Sequence, residues 1–300
     1  LNSAIDEYVD YLVGSCNVRI DGLRVGIDCA NGSASATAER IFTTLGAECH
    51  MLACKPDGIN INKDCGSTHL DEIKRLVLKE GLDVGIAFDG DADRCLAIDE
   101  NGQEIDGDFI LAILATKMKN EGQLTCNTLV GTVMSNLGLV KFCEQNGIDF
   151  VATKVGDRYV LEKLNEGGFA LGGEQSGHII LRDLSTTGDG QLTAVALLSY
   201  IKESGKSLST LATVMKKYPQ YMLNVTANAD DKAKFKTDPI IADLIRESEE
   251  EMGSHGRILI RPSGTEPLIR VMTEGDEPEI AERICRSLAE KIGKRIKELD

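Results

Sequence analysis

The sequence predicts two α/β domains with mixed sheets, followed by a smaller α+β domain. Short apolar runs alternate with amphipathic helical segments up to about residue 217. Glycine is frequent (30 of 300 residues) and proline scarce (6), which is typical of α/β units joined by tight turns. From Tyr218-Pro219 onward the alternation gives way to strands around a polar loop and to long helical segments.

The first predicted domain covers residues 1–104. Its apolar strands are separated by helices, as parallel strand order requires. The turn at Asn101-Gly102 indicates a closing hairpin, which adds antiparallel strands and makes the sheet mixed. The predicted elements are helices over 3–14, 33–46 and 69–80, and strands over 23–30, 47–54, 83–88, 94–100 and 103–106.

The second predicted domain covers residues 105–217 and the third covers 218–300. Asp106 is the expected N-cap of the first helix of the second domain. The second domain has predicted helices over 108–119, 137–146, 157–166, 189–203 and 207–217, and strands over 128–134, 149–155, 169–173 and 177–183. The third has a strand over 221–227, one charged helix near 230–251, two strands flanking RPSGTEP and a final amphipathic helix.

Composition excludes several classes of function. The net charge of −15 disfavours sequence-independent nucleic-acid binding, which needs a basic surface. No apolar run is long enough for a membrane span. Nine cysteines without a C-x-x-C pair favour free thiols in a reducing, cytoplasmic setting. The spacing of Cys49, Cys54, Cys65 and His69 fits no zinc pattern.

The segment FDGDADR, residues 88–94, carries the strongest chemical signal. Asp89, Asp91 and Asp93 follow an apolar strand, and carboxylates this close repel one another unless a cation lies among them. Oxygen ligands favour Mg²⁺ or Ca²⁺ over zinc. Ligands of α/β proteins bind at the carboxyl ends of strands, where this segment is predicted to lie.

Other interpretations of FDGDADR are weaker. A solvated acidic turn usually lacks an arginine and buried strands on both sides. An EF-hand needs glycine at the sixth loop position, where this chain has Arg94. The motif of aspartyl-nucleophile phosphatases usually has Thr or Val where this chain has Asp93, and that class stays open.

Two further segments have side chains suited to a phosphorylated sugar. In LGGEQSGHII, residues 171–180, three glycines let the backbone approach a ligand, and Glu174, Gln175, Ser176 and His178 offer varied hydrogen-bonding groups. A plain polar hairpin turn explains this segment equally well. In LIRPSGTEPLIR, residues 259–270, two arginines bracket Ser263, Gly264 and Thr265, as in a phosphate cradle.

Together and in this order, the three segments resemble the metal-binding, sugar-binding and phosphate-binding loops of the α-D-phosphohexomutase family. The match extends over NINKDCGSTH (60–69), TVMSNLGL (132–139) and KVGDRYVLE (154–162), and covers nearly the whole chain. GEQSGH resembles the branch acting on glucosamine phosphates more than those acting on mannose or glucose phosphates. The resemblance implies that residues 1–104, 105–217 and 218–300 are the second, third and fourth domains of that family.

The resemblance also implies a reaction and roles for the residues. Glucosamine 6-phosphate and glucosamine 1-phosphate would interconvert through a phosphoserine enzyme and a 1,6-bisphosphate, for UDP-N-acetylglucosamine synthesis. Mg²⁺ is the expected cofactor, and the three loops are expected to converge on one cleft. The implied metal ligands are Asp89, Asp91 and Asp93; the implied catalytic residues are Arg94 and His178; the implied substrate-binding residues are Lys154, Glu174, Ser176, Arg261, Ser263, Gly264, Thr265 and Arg270.

Some of these roles have alternatives. Arg94 could hold the phosphate or form a salt bridge to a neighbouring aspartate, and His178 could transfer a proton or act through its position. Lys154 could be a plain surface charge.

One feature of the family is absent. The family's serine lies in a T-A-S-H-N-P loop of its first domain, and the sequence contains no such loop. A serine domain of the same protein is therefore an expected partner, and this chain alone is expected to be inactive. The oligomeric state stays open, with a homodimer among the options. A mannose- or glucose-phosphate mutase and a non-catalytic sugar-phosphate-binding protein remain alternatives.

Overall fold

The computed structural model describes residues 2–264 and 266–299, which form two compact units. The first unit comprises residues 1–135 and 139–216, and the second comprises 136–138 and 217–300. Thr265, which was expected in the phosphate cradle, lies outside the described residues. Among the described helices, none is both long and apolar enough to cross a membrane.

The first sheet of unit 1 has five strands in the order β2-β1-β3-β4-β5. Strands β1, β2 and β3 are parallel, and β4 and β5 add antiparallel pairings, so the sheet is mixed as expected. The strands are β1 Arg24–Asp28, β2 Glu48–Leu52, β3 Val84–Phe88, β4 Cys95–Asp99 and β5 Glu104–Ile105, and the helices are α1 Asn2–Gly14, α2 Ala38–Thr44 and α3 Asp71–Glu80.

The second sheet of unit 1 has four strands in the order β7-β6-β8-β9, and its last pair is antiparallel. Asp106 caps α4 by accepting hydrogen bonds from the backbone N–H groups of Asp108 and Phe109, which confirms the predicted cap. The strands are β6 Thr128–Thr132, β7 Asp149–Thr153, β8 Leu171–Gly173 and β9 Ile179–Leu181, and the helices are α4 Gly107–Asn120, α5 Leu137–Gln145, α6 Asp157–Gly167, α7 Gly190–Ser204 and α8 Leu208–Ala212.

One apolar cluster joins the two sheets of unit 1. It includes Phe88 from the first sheet, Leu129 from the second, and Leu111 and Leu197 from the helices between them. Burying a side chain of this size contributes about 1.5–3 kcal/mol. The shared core explains why residues 1–104 and most of 105–217 form one compact unit; the boundary at 104 stays a prediction.

Unit 2 is built around an antiparallel sheet in the order β10-β12-β11. Helix α11 buries Ile284, Leu288, Ile292 and Ile296, which share one face because they recur every four residues. The strands are β10 Gln220–Thr226, β11 Gly256–Pro262 and β12 Leu268–Gly275, and the helices are α9 Ala229–Thr237, α10 Pro239–Met252 and α11 Pro278–Glu298.

The prediction of a single helix near 230–251 is wrong, because two helices occupy that range. Helix α9 ends at Thr237 and α10 begins at Pro239. Pro239 lacks an N–H group and disfavours helical backbone at the residue before it, so Asp238 is extended. The Asp238 side chain then caps α10 by accepting a hydrogen bond from the backbone of Ile241 at 2.9 Å.

Candidate active site

The aspartate-rich loop lies at the carboxyl end of β3, at the edge where β1 and β2 also end. Carboxylate oxygens of Asp89, Asp91 and Asp93 all lie within 4.8 Å of one another. Asp89 is buried, Asp93 is half-buried and Asp91 is exposed. The backbone of Ala92 is left-handed (φ 59°) and its N–H donates to the carbonyl of Asp89, which folds the loop back on itself.

The charges of this loop are unbalanced. Burial, together with the nearby Asp93, raises the pKa of Asp89. Burial alone would raise the pKa of Asp93, but the hydrogen bonds that it shares with Asp89 and His178 outweigh this and lower its pKa. Three carboxylates face one guanidinium, that of Arg94, so the loop has an excess of negative charge.

Arg94 lies beside two of the aspartates. Its Nε is 3.7 Å from Oδ2 of Asp89 and 3.9 Å from Oδ1 of Asp93, and its backbone N–H donates to Asp89. The salt bridge considered for Arg94 is therefore present, at distances longer than those of hydrogen bonds. Contact with a phosphate stays a prediction.

A divalent cation with oxygen ligands suits this loop. The Oδ1 atom of Asp93 is buried and accepts no hydrogen bond, and such an atom is costly without a partner. All three side chains offer carboxylate oxygen, which Mg²⁺ and Ca²⁺ prefer. The described residues contain one other such cluster, His255, Asp276 and Glu277, and all three of its members are exposed.

The predicted sugar-binding loop connects β8 to β9 and is joined directly to the aspartate loop. The N–H of Cys95 donates to the carbonyl of Gly177 at 3.0 Å, and Arg94 forms an isolated β-bridge with His178. Gly177 has a φ of 95°, and a Cβ there would lie 2.5 Å from the oxygen of Cys95. Only glycine allows the two loops to approach this closely.

His178 links the two loops through its side chain. The ring is 3% exposed, its Nδ1 is 2.9 Å from Oδ2 of Asp93, and its Nε2 accepts from the N–H of Gly188 at 3.1 Å. Because Nε2 accepts, the neutral ring carries its proton on Nδ1 and donates it to Asp93. Both ring nitrogens are therefore engaged, so His178 could exchange a proton with a substrate only after releasing one partner.

The other side chains of the sugar-binding loop point in different directions. Glu174 accepts from the N–H of Gly156 at 2.9 Å, and Ser176 is exposed. The amide of Gln175, expected beside the sugar, donates to Asp106 at 3.3 Å instead. It thereby ties the loop to the start of α4.

Lys154 follows β7 and is exposed, with its Nζ 5.7 Å from the centre of the Tyr159 ring. This is within the range of a cation–π interaction.

A cavity of about 500 Å³ opens beside the aspartate loop and contains residues that the motifs did not suggest. Tyr8 donates to Oδ2 of Asp189 at 2.9 Å, and Gln191 donates to the Tyr8 hydroxyl at 3.4 Å. Burial and the charge of Asp189 raise the pKa of Tyr8, so the phenol stays protonated. The only sequence signal for Tyr8 is its apolar helix face, which predicts packing and not a site.

The predicted phosphate-binding segment lies in unit 2, across the β11–β12 hairpin. Arg261 and Arg270 are directly opposed in the strand register. Opposed like charges are unfavourable, and Arg270 is paired with Glu266. The Arg261 side chain has no hydrogen bond or ion pair with any other residue in the described part of the chain.

The tip of this hairpin is held by backbone contacts. The N–H of Ser263 donates to the carbonyl of Leu268 at 2.9 Å, and Lys232 donates to the carbonyl of Ser263 at 2.7 Å. Gly264 is exposed with open space around it. An arginine side chain without a partner, next to a loop with open space around it, can bind an anion. That this segment meets the other two loops stays a prediction.

Sequence comparison defines the class. Models of the phosphoglucomutase/phosphomannomutase family match in three parts: α/β/α domain II at residues 6–102, α/β/α domain III at 106–218 and the C-terminal domain at 222–291. The chain belongs to this phosphohexomutase family.

Individual relatives carry a more specific name than the family. The chain is 49% identical over 296 residues to the phosphoglucosamine mutase of Acetivibrio thermocellus, covering 99% of this chain and 66% of that relative. It is 51% identical over 291 residues to that of Caldicellulosiruptor saccharolyticus, covering 97% of this chain and 65% of that relative. The chain thus spans just under two thirds of the length of these curated relatives.

Solved structures share the fold. A phosphoglucomutase/phosphomannomutase family protein from Burkholderia thailandensis superposes with a TM-score of 0.82 at 24% identity, covering 98% of this chain and 64% of that one. N-acetylphosphoglucosamine mutase from Aspergillus fumigatus, in complex with GlcNAc-6P and magnesium, superposes with a TM-score of 0.75 at 18% identity, covering 95% and 69%.

Proposed function

We propose that this chain is the metal-, sugar- and phosphate-binding part of a phosphoglucosamine mutase. The whole protein would interconvert glucosamine 6-phosphate and glucosamine 1-phosphate. The observation that carries the proposal is the junction of the two loops in unit 1. Asp89, Asp91 and Asp93 meet within 4.8 Å, and His178 joins them to the sugar-binding loop. Relatives about 50% identical that bear this name support the choice of sugar.

Asp89, Asp91 and Asp93 would hold Mg²⁺. When bound, the ion supplies the positive charge that offsets the charge of a transferring phosphoryl group. Arg94 lies at the same loop, so its guanidinium can add to that charge once it turns from the aspartates to the phosphate.

The remaining side chains would bind the sugar phosphate. Glu174 and the exposed Ser176 can accept and donate hydrogen bonds to sugar hydroxyls. Arg261, which has no partner in the described part of the chain, would bind the phosphate that does not react, assisted by the other cradle residues. Those residues are Ser263, Gly264, Thr265 and Arg270. Lys154 would contribute a further cation.

His178 would act mainly by orienting Asp93. It is buried, and its hydrogen bond restrains the orientation of the Asp93 carboxylate. This geometry favours the positional role over proton transfer.

The chemistry of the family also needs a phosphoserine, and the sequence contains no T-A-S-H-N-P loop. We therefore expect the chain on its own to bind Mg²⁺ and glucosamine 6-phosphate without turning the sugar over. Nine free thiols support a reducing compartment such as the cytoplasm.

A chimera tests this function. The matching two thirds of the Acetivibrio thermocellus relative is replaced by this chain, and conversion of glucosamine, mannose and glucose phosphates is measured. We expect preferential turnover of glucosamine phosphate, and loss of turnover on Asp91→Asn but not on Asp10→Asn, which alters an exposed helical aspartate outside the site.

Two results would contradict the proposal. A folded chimera that prefers mannose or glucose phosphate would indicate a sister mutase. A folded chimera that binds sugar phosphate without converting any of the three would indicate a non-catalytic binding protein.

A further inference from the structure

Tyr159 is an exposed aromatic residue next to the proposed sugar-binding loop. It lies in the first turn of α6, is 40% exposed, and its ring is 5.7 Å from the Nζ of Lys154. The sequence motifs assign no role in the site to Tyr159.

The Tyr159 ring packs against the backbone of the turn that precedes α6. A Cβ added to Gly156 would lie 3.4 Å from Cδ2 and 3.7 Å from Cε2 of the ring, so the ring covers the Gly156 Cα. Gly156 has a φ of 129°, which side chains rarely tolerate, and its N–H donates to Glu174 at 2.9 Å. The turn at Gly156 therefore follows Lys154 in sequence, packs against the Tyr159 ring and is hydrogen-bonded to Glu174.

The Lys154 ammonium has no carboxylate within 4.0 Å among residues 2–264 and 266–299. The neighbouring Arg158, by contrast, pairs with Glu162. The aromatic face attracts the ammonium without neutralising its charge. The cation is thus localised and still able to bind an anion.

We propose that Tyr159 is a positioning residue that holds the Lys154 ammonium beside the sugar-binding loop for an anionic group of the sugar phosphate. This inference rests on the proposed function of that loop. Tyr159 acts through Lys154 and does not itself contact the substrate. An exposed cation–π interaction is weak, so its loss should lower the affinity for the sugar phosphate about two- to fivefold.

A packing role for Tyr159 is the competing explanation, because the ring also covers Gly156. A double-mutant cycle separates the two. Binding of glucosamine 6-phosphate to the full chain is measured by NMR titration for the wild type, Tyr159→Leu, Lys154→Met and the double variant. Tyr159→Phe keeps the ring, and unphosphorylated glucosamine serves as the control ligand.

We expect Tyr159→Leu to weaken binding of glucosamine 6-phosphate about two- to fivefold, Tyr159→Phe to bind as the wild type does, and glucosamine binding to be unchanged. In the Lys154→Met background, Tyr159→Leu should have no further effect. The inference is overturned if Tyr159→Leu weakens binding of glucosamine 6-phosphate as much in the Lys154→Met background as in the wild type. It is also overturned if Tyr159→Leu weakens binding of glucosamine as much as that of glucosamine 6-phosphate. Either result leaves the proposed function intact. Absence of glucosamine 6-phosphate binding by the wild type would instead refute the proposed function together with this inference.

A second readout reports on the ring contact itself. After reductive ¹³C-methylation, which keeps the charge, the Lys154 methyl signal should be shifted upfield by the ring. It should move to the position of other exposed lysines in Tyr159→Leu and stay in Tyr159→Phe. A Lys154 signal unaffected by Tyr159→Leu would contradict the proposed contact.

Discussion

Asp91→Asn separates the repulsive and metal-binding roles of the aspartate loop. Asp91 is the exposed member of the cluster, so the substitution removes a charge and leaves the buried Asp89 and the half-buried Asp93 in place. At 4.8 Å two unit charges repel by about 0.9 kcal/mol in water and by about 3.5 kcal/mol at an effective dielectric constant of about 20. Because Asp91 is exposed, and Arg94 offsets part of the charge, we expect a gain near the lower figure.

Without metal, Asp91→Asn should therefore raise the free energy of unfolding by about 0.5–1 kcal/mol. Mg²⁺ should shift the difference by about 1 kcal/mol in favour of the wild type, which cancels or exceeds this gain. At ten times its dissociation constant, the ion stabilises the wild type by about 1.4 kcal/mol, and a variant that binds tenfold more weakly gains only about 0.4 kcal/mol.

The assay is urea unfolding at low ionic strength, with and without Mg²⁺. Asp10→Asn changes the net charge equally at an exposed position on α1 and should show neither effect. If Asp91→Asn and Asp10→Asn respond identically to Mg²⁺, then Asp91 is not a ligand and the reasoning is wrong.

Three further substitutions test other parts of the molecule. Arg261→Met should weaken glucosamine 6-phosphate binding about tenfold, as expected for a lost charged hydrogen bond; unchanged affinity in an NMR titration would remove Arg261 from the cradle. Gln175→Leu deletes the bond to Asp106, so urea unfolding should show a loss of about 0.5–1.5 kcal/mol, and a changed Mg²⁺ affinity would contradict a purely anchoring role. Glu274→Ala removes a fully buried acceptor that lies 2.6 Å from Arg257 Nε. The loss should destabilise unit 2 by about 3 kcal/mol, measured by calorimetry. A free energy of unfolding close to that of the wild type would show that the pair contributes little.

Features coded by neighbouring residues could be predicted from the sequence. The apolar run before Asp89 forms a buried strand, and the aspartates follow at its carboxyl end. The Asp106 cap is likewise a local pattern. The break at Asp238-Pro239 is also a local feature, since a proline at the first position of α10 begins a new helix, but the charged residues over 230–251 are compatible with one continuous helix and do not indicate it.

Features that join distant residues could not be predicted in the same way. Gln175 has hydrogen-bonding groups suited to a sugar, yet its partner is an aspartate 69 residues away in sequence. Tyr8 and Asp189 are 181 residues apart. The Nε2 atom of His178 accepts a hydrogen bond from the backbone of a third segment, at Gly188. In each case the residue type limits the chemistry, and only the fold selects the partner.

The most direct measurement is anomalous diffraction from crystals of the chain soaked with Mn²⁺ as a substitute for Mg²⁺. We expect one dominant peak within coordination distance of Asp89, Asp91 and Asp93. A strong peak at the exposed His255, Asp276 and Glu277 cluster with none at the aspartate loop would contradict the assignment of the metal site, as would the absence of any peak at the loop when Mn²⁺ is in excess.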